Sequence, residues 1–174
     1  MSEAPQNGQV VAGKYRVRRC IGAGGMGAVY EAENLATGKR VALKWLHAHL
    51  VHDRSHSERF LREAKVLAKV RHPNVVDLYD VGRDGSALFL VLEFLEGESL
   101  AAYLERELAP MQTMLTLLSD AMRGVAAAHR QGVLHRDLKP ENVFLAREND
   151  DGSLTPKLLD FGISKVADTT HGKL

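Results

Sequence analysis

The stretch at residues 135–142 reads His135-Arg136-Asp137-Leu138-Lys139-Pro140-Glu141-Asn142 and combines an aspartate with an asparagine five residues later. It lies between residues 111–131, whose apolar spacing predicts a long helix, and residues 143–146, which predict a short strand. A loop in that position can direct Asp137 and Asn142 toward the same reactant. A carboxylate can orient a hydroxyl group and accept its proton, whereas an amide oxygen is a suitable ligand for Mg²⁺. The stretch therefore predicts a loop with acid–base and metal chemistry.

The sequence after this loop supplies a second carboxylate. Asp160-Phe161-Gly162 follows residues 157–159, which predict another short strand. Asp160 and Asn142 together offer the oxygen ligands that Mg²⁺ prefers. Lys139 can reach the oxygens of a phosphoryl group in transfer and neutralise the charge that develops there. The two segments together offer the oxygen ligands of a hard metal ion and an ammonium group close to them in sequence.

A glycine cluster near the N-terminus predicts contact with phosphates. Gly22-Ala23-Gly24-Gly25-Met26-Gly27-Ala28-Val29 fits the pattern G-x-G-x-x-G-x-V. Without Cβ atoms, such a backbone can fold closely over phosphates and present its N–H donors. Dinucleotide-binding folds use a similar pattern, but their loop leads into a helix, whereas residues 28–32 here predict a strand. Taken by itself the cluster is also compatible with an ordinary glycine hairpin.

Lys44 and Glu63 form a predicted ion pair. Lys44 lies near the end of the strand predicted at residues 40–46, and Glu63 lies among the apolar positions of a helix predicted at residues 57–70. A partly buried ammonium needs a counter-charge, which Glu63 can provide. Each residue by itself is more often a solvated surface charge, and the pairing depends on the surrounding pattern.

Composition excludes several classes of protein. The chain has 174 residues, a net charge of +1 and a single cysteine, Cys20. The charge gives no field that would recruit nucleic acid or an anionic membrane. One cysteine cannot form an internal disulfide, which favours a reducing, cytoplasmic compartment. No segment approaches the roughly 20 apolar residues of a membrane span. Residues 1–14 are interpreted as a flexible leader.

The order of predicted elements indicates an α+β fold with two lobes. A strand-rich first half includes strands at residues 75–81 and 87–94, joined by a turn at residues 83–86. A mainly helical second half contains a short helix at residues 99–106 and the long helix at residues 111–131, with Gly132 as its C-terminal cap.

Taken together, the glycine loop, Lys44 with Glu63, the segment 135–142 and Asp160-Phe161-Gly162 resemble the eukaryotic-like (Hanks-type) serine/threonine protein kinases of bacteria. The resemblance covers roughly residue 15 to the end. It implies a protein-kinase-like fold with a β-rich N-lobe (residues 15–93), a hinge (94–98) and a partial, mainly α-helical C-lobe (99–174). It also implies transfer of the ATP γ-phosphoryl group to Ser/Thr hydroxyls of proteins, with Mg²⁺ or Mn²⁺.

The resemblance implies a role for individual residues. The catalytic residues would be Asp137, as the base, with Lys139 and Asn142, and Asn142 and Asp160 would hold the metal ion. His135 would be structural and stack with Leu67, Leu78 and Phe161 in a packed column. The implied ATP-binding residues are Ile21, Gly22, Ala23, Gly24, Gly25, Met26, Gly27, Ala28, Val29, Ala42, Lys44, Glu63, Leu92, Glu93, Phe94, Leu95, Ser99 and Phe144.

The chain departs from the family pattern at its C-terminal end. It stops at Leu174 without the Ala-Pro-Glu motif and the later helices, so we expect a poorly active fragment of a longer kinase, whose later part could carry a membrane tether. The face of the long helix formed by Leu115, Leu118 and Met122 should then be exposed. Two alternatives are a non-catalytic nucleotide-binding pseudokinase or scaffold, which the intact Lys44, Asp137 and Asp160 disfavour, and a small-molecule phosphotransferase, which the Arg136 and Lys139 pattern disfavours.

Overall fold

A computed structural model describes residues 4–24, 27–46, 61, 64–65, 67–106, 109–147 and 153–161. The chain divides into two compact units. The first comprises Met1–Ala64 and Leu78–Phe94, and the second comprises Lys65–Asp77 and Leu95–Leu174. The fold class is the predicted one: strands dominate the first unit, and the second is built on helices with one small sheet.

The first unit is a six-stranded antiparallel sheet with the strand order β1-β2-β3-β4-β6-β5. Its strands are β1 (Val10–Val11), β2 (Tyr15–Gly24), β3 (Gly27–Asn34), β4 (Arg40–Leu46), β5 (Leu78–Asp84) and β6 (Ala87–Glu93). Alternation along the strands separates two faces. Odd-numbered residues of β4 and β6, including Val41, Leu43 and Val91, lie in the hydrophobic core of this unit. Their even-numbered neighbours therefore lie on the opposite face.

Aromatic packing is central to the core of this unit. The Trp45 and Phe89 rings stack with centroids 5.5 Å apart, and Tyr15 meets Phe89 edge to face at 6.2 Å. Gly82 of β5 lies against the Phe89 ring, so that a Cβ atom there would lie 2.2 Å from a ring carbon. The ring therefore requires a glycine at that position.

The N-terminal segment is more ordered than the predicted flexible leader at residues 1–14. Val11 is fully buried, and β1 pairs with β2 through Val10↔Arg16 and Val11↔Tyr15. The Gly8 amide also donates to the Val17 carbonyl oxygen at 2.8 Å. The predicted flexibility is wrong for this part of the chain. The prediction rested on polar composition, whereas Val10 and Val11 form an apolar pair that covers β2 at the sheet edge.

The second unit contains the helices α1 (Leu100–Arg106) and α2 (Met111–Arg130) and a three-stranded sheet in the order β7-β8-β9. The strands are β7 (Gly97–Ser99), β8 (Val143–Arg147) and β9 (Leu154–Leu158), and a short 3-10 turn, Pro140–Asn142, precedes β8. Helix α2 packs on β9. Its buried residues are small or apolar: Leu117, Ala121, Gly124, Val125, Ala127 and Ala128. Gly132 follows the helix with φ of +74°, which confirms it as the predicted terminator.

Three predicted elements differ from the structure. The strand expected at residues 75–81 begins only at Leu78. Val76, before it, belongs to the second unit, where its amide donates to the Leu158 carbonyl oxygen at 3.1 Å. The strand expected at residues 157–159 is β9, which begins at Leu154; Pro156 is tolerated there because β9 is an edge strand. The helix expected at residues 57–70 is helical at its described positions up to Leu67, after which the chain turns.

One face of α2 carries exposed apolar side chains, as predicted. The exposed fractions are 55% for Leu115, 45% for Leu118 and 54% for Met122, and Met111 at the start of the helix reaches 74%. Among the described residues, no helix combines the length and apolar character that a bilayer span needs.

Candidate active site

The loop before β8 holds Asp137, Lys139 and Asn142 together. The Asn142 side-chain amide donates to the Asp137 backbone oxygen at 2.8 Å and to its carboxylate Oδ2 at 3.1 Å. The Lys139 ammonium lies 3.6 Å from the same Oδ2. The 3-10 turn Pro140–Asn142, in which the Asn142 amide donates to the Lys139 carbonyl oxygen at 2.9 Å, keeps Asn142 within reach of Asp137. The structure thus assembles the three residues that the sequence predicted as catalytic.

His135 anchors the start of this loop. It is 3% exposed, and its Nε2 lies 2.8 Å from the Leu159 carbonyl oxygen, which requires that this nitrogen carry the hydrogen. Its ring lies 4.6 Å from the Phe161 ring. Burial lowers the pKa of His135 from its ordinary value of 6.5, against the opposing effects of this hydrogen bond and of nearby Asp137 and Asp160. The predicted structural packing of His135 on Phe161 is confirmed.

Asn142 and Asp160 are the two predicted metal ligands, and a backbone hydrogen bond links the segments that carry them. The Leu159 amide donates to the Asn142 backbone oxygen at 2.8 Å, which brings the residue before Asp160 to Asn142. Because the Asn142 nitrogen is directed at Asp137, its Oδ1 is on the other side of the amide group. An amide oxygen and a carboxylate are hard ligands, so the donor set fits Mg²⁺ or Mn²⁺. Asp160 (φ +50°) and Arg136 (φ +60°) both adopt the left-handed conformation, which is unusual for these residues and common at functional sites.

The predicted phosphate loop is the hairpin between β2 and β3. Ile21, Gly22, Ala23 and Gly24 are exposed at the end of β2, and Gly24 pairs with Gly27. At Gly27, with φ of +152°, a Cβ atom would lie 1.8 Å from the Trp45 carbonyl oxygen. Close approach to β4, rather than a turn alone, therefore requires this glycine. Gly25 and Met26 lie outside the described residues.

Four predicted ATP-binding residues share the face of the first sheet that is opposite the core. Val29 pairs with Lys44, and Ala42 pairs with Leu92, so alternation directs all four side chains to that face. Ala28, which precedes Val29, is packed on the hydrophobic core instead. The predicted ion-pair partner of Lys44, Glu63, lies outside the described residues, as does Gly162.

The remaining predicted ATP-binding residues lie at the end of β6, directly after it, or in the second unit. Glu93 and Phe94 end the first unit, and Leu95 begins the second segment of the second unit. Ser99 accepts a hydrogen bond from the Ala102 amide at 3.1 Å and thereby caps α1, and it pairs with Phe144 across β7 and β8. No role was predicted for Arg40, whose guanidinium lies over the Phe94 ring. The sequence could have indicated a role for Arg40, because it alternates with Ala42 and Lys44 on one strand and so shares their face.

Comparisons with known proteins agree with this geometry. Residues 15–173 match the family model described as protein kinase domain. The chain is 44% identical over 159 residues to serine/threonine-protein kinase pkn2 of Myxococcus xanthus, and 33% identical over 165 residues to PrkC of Bacillus subtilis. These alignments cover 91% and 94% of this chain but 19% and 24% of those proteins.

A solved structure shows the same fold. The kinase domain of Mycobacterium tuberculosis PknI superimposes with a TM-score of 0.80 at 29% identity, over 92% of this chain and 64% of that one. The chain thus spans about two thirds of a solved kinase domain and a much smaller share of its curated relatives. The family match extends over nearly the whole chain and includes every described residue of the loop around Asp137. This chain therefore belongs to the protein kinase family.

Proposed function

We propose that this chain is the nucleotide-binding and catalytic-loop part of a serine/threonine protein kinase that uses ATP with Mg²⁺ or Mn²⁺. The observation that carries the proposal is the geometry around Asp137, whose carboxylate is held by the Asn142 amide at 3.1 Å and lies 3.6 Å from the Lys139 ammonium. The names of the relatives, all serine/threonine kinases, support the same acceptor class.

In this proposal Asp137 orients the hydroxyl group of a serine or threonine and accepts its proton. Lys139 lies close enough to that carboxylate to meet the phosphoryl group during transfer and offset its charge. Asn142 and Asp160 would hold the metal ion, which when bound neutralises charge on the phosphate oxygens. The energetic contribution of these residues is mainly orientation and electrostatic stabilisation.

The nucleotide would lie against Val29, Ala42, Lys44 and Leu92, the face of the first sheet opposite the core. The lobe bounds, 15–93 and 99–174 with a hinge at 94–98, and the remaining ATP contacts belong to the same proposal. A cytoplasmic location fits the use of ATP and the single exposed thiol of Cys20.

The test is the identity of the phosphorylated product. The full-length protein is incubated with radiolabelled ATP, Mg²⁺ and three acceptors: a general serine/threonine protein substrate, a tyrosine-only peptide and an aminoglycoside. We expect phosphoserine or phosphothreonine after acid hydrolysis of the protein acceptor. Label on the aminoglycoside alone, or on tyrosine alone, would contradict the proposed acceptor class, and binding of Mg-ATP without transfer to any acceptor would contradict catalysis.

A further inference from the structure

A row of charged and aromatic side chains crosses the first sheet on the face that carries the predicted nucleotide contacts. Arg19 of β2 pairs with Glu31 of β3, and Glu31 pairs with Ala42 of β4. Arg40 lies two residues before Ala42 and so points to the same side. Phe94 lies two residues after Leu92, the pairing partner of Ala42. We call Arg19, Glu31, Arg40 and Phe94 the arginine ladder.

The contacts along the arginine ladder are continuous. The Arg19 Nε donates to Glu31 Oε2 at 2.8 Å, and the Arg40 Nε donates to Glu31 Oε1 at 3.0 Å. The Arg40 guanidinium carbon then lies 4.0 Å from the centroid of the Phe94 ring. That distance is well within the range of a cation–π contact, and the planar guanidinium is suited to lie on an aromatic face.

Glu31 fixes the orientation of the ladder. Its side chain is 13% exposed, compared with 48% for Arg40 and 67% for Arg19. Burial would by itself raise the pKa of Glu31, but the hydrogen bonds and charges of Arg19 and Arg40 lower it below its ordinary value. A glutamate that accepts from two guanidinium groups through separate oxygens limits the rotation of both.

Phe94 is the point where this row meets the predicted adenine-binding segment. It is the last residue of the first unit and follows β6 directly, with Glu93 before it and Leu95 after it. The backbone groups of these three residues are the ones that would hydrogen-bond adenine under the proposed function. A ring held on one side by Arg40 restricts the backbone to which that ring is attached.

We propose that Arg40 is a positioning residue for nucleotide binding: braced by Glu31, it holds Phe94 and thereby fixes the backbone that receives adenine. The ligand is the adenine base of ATP, so the inference rests on the proposed function. Arg40 acts through Phe94 and does not take part in phosphoryl transfer. Loss of Arg40 should therefore weaken binding of the nucleotide and leave the catalytic step unchanged.

The experiment measures the Kd of a non-hydrolysable ATP analogue with Mg²⁺, and kcat and KM for ATP, on the full-length protein. The variants are Arg40→Gln, Phe94→Leu, their combination and Arg40→Lys. Arg18→Gln is the matched control, because Arg18 is an arginine of the same sheet, is 56% exposed and pairs with Glu33 of β3, but does not belong to the arginine ladder. Thermal melting of each variant identifies the temperature range in which all are folded.

We expect Arg40→Gln and Phe94→Leu each to raise Kd and KM by about two- to fivefold, with kcat within about twofold of the wild type. The double variant should bind the analogue no more weakly than the single variant with the higher Kd, because both single changes remove the same Arg40–Phe94 contact. Arg40→Lys should recover part of the affinity, and Arg18→Gln should bind like the wild type.

Two kinds of failure are distinguishable. If the wild type binds the analogue and Arg40→Gln binds as tightly as Arg18→Gln, the inference is overturned while the proposed function stands. Independent, multiplicative effects of the two single changes would overturn it as well. If the wild type itself binds no nucleotide, the proposed function fails and the inference fails with it.

Discussion

The side-chain amide of Asn142 holds Asp137 in place in the loop formed by residues 135–142. Asn142 is 8% exposed and uses its amide nitrogen on both the backbone and the carboxylate of Asp137. The sequence identified it as a metal ligand from its residue type and its position after Asp137. Its second role, holding Asp137, depends on the 3-10 turn and on the left-handed conformation of Arg136, which no residue preference predicts.

Burial of His135 makes the free energy of unfolding depend on pH. Burial keeps its pKa below 6.5, so between that lowered pKa and about 6.5 the unfolded chain binds more protons than the folded one. The free energy of unfolding therefore rises with pH in this window. The stabilising contribution of His135 is fully present above about pH 6.5 and is lost as the pH falls through its lowered pKa. We expect His135→Gln, which can still donate to the Leu159 oxygen, to lose less stability than the wild type between about pH 7 and about pH 5.

Thermal melting at a series of pH values measures this difference. His129→Gln, which changes an exposed histidine of α2, is the matched control and should follow the wild type. Equal acid-induced losses for the wild type and His135→Gln would show that other groups dominate the pH dependence.

At the scale of elements, the sequence predicted strands and helices best where one periodicity persists. The strand at residues 40–46 and the long helix agree with β4 and α2 to within one residue at each end. The sequence predicts one strand from Val75 to Val81. In the structure, however, Asn74 and Val76 exchange backbone hydrogen bonds with Leu158 before β5 begins. Local pattern could not predict that division, because the two halves of the segment pair with partners far apart in sequence.

The packing of helix α2 against the rest of the second unit depends on Gly124. At Gly124 a Cβ atom would lie 2.6 Å from the Asn74 carbonyl oxygen, although alanine is the better helix former. We expect the clash to outweigh the gain in helix propensity, so that Gly124→Ala lowers the free energy of unfolding by roughly 1–2 kcal/mol. The shift in melting temperature measures the effect.

Ser119→Ala is the control for this prediction, since Ser119 is exposed on the same helix and should change stability by less than about 0.5 kcal/mol. A higher melting temperature for Gly124→Ala would mean that the helix moves away from Asn74 without loss.

At the scale of the whole molecule, the apolar face of α2 predicts how the 174-residue chain behaves when purified alone. Met111, Leu115, Leu118 and Met122 are all at least 45% exposed. Contiguous apolar surface of this kind promotes association and binding of hydrophobic dyes. We therefore expect the chain to self-associate and to bind such a dye, and Leu118→Lys combined with Met122→Lys to reduce both.

Light scattering and dye fluorescence over a range of protein concentrations measure these two properties. Leu104→Lys together with Tyr79→Lys is a control for the added charge, because Leu104 and Tyr79 are exposed to a similar degree but do not belong to α2. An equal reduction by both pairs of substitutions would assign the effect to net charge and not to this face.

The proposed role of Asp137 as proton acceptor is tested by one rate measurement. The rate of phosphoryl transfer from ATP to a serine/threonine protein acceptor is compared for full-length wild type, Asp137→Asn and the control Asp120→Asn, whose carboxylate pairs with Arg123 on the surface of α2. Asp137→Asn keeps the size of the side chain but removes the proton acceptor. We predict a loss of at least about 100-fold for Asp137→Asn with unchanged ATP binding, and wild-type activity for Asp120→Asn. Equal transfer by the wild type and Asp137→Asn would contradict the account.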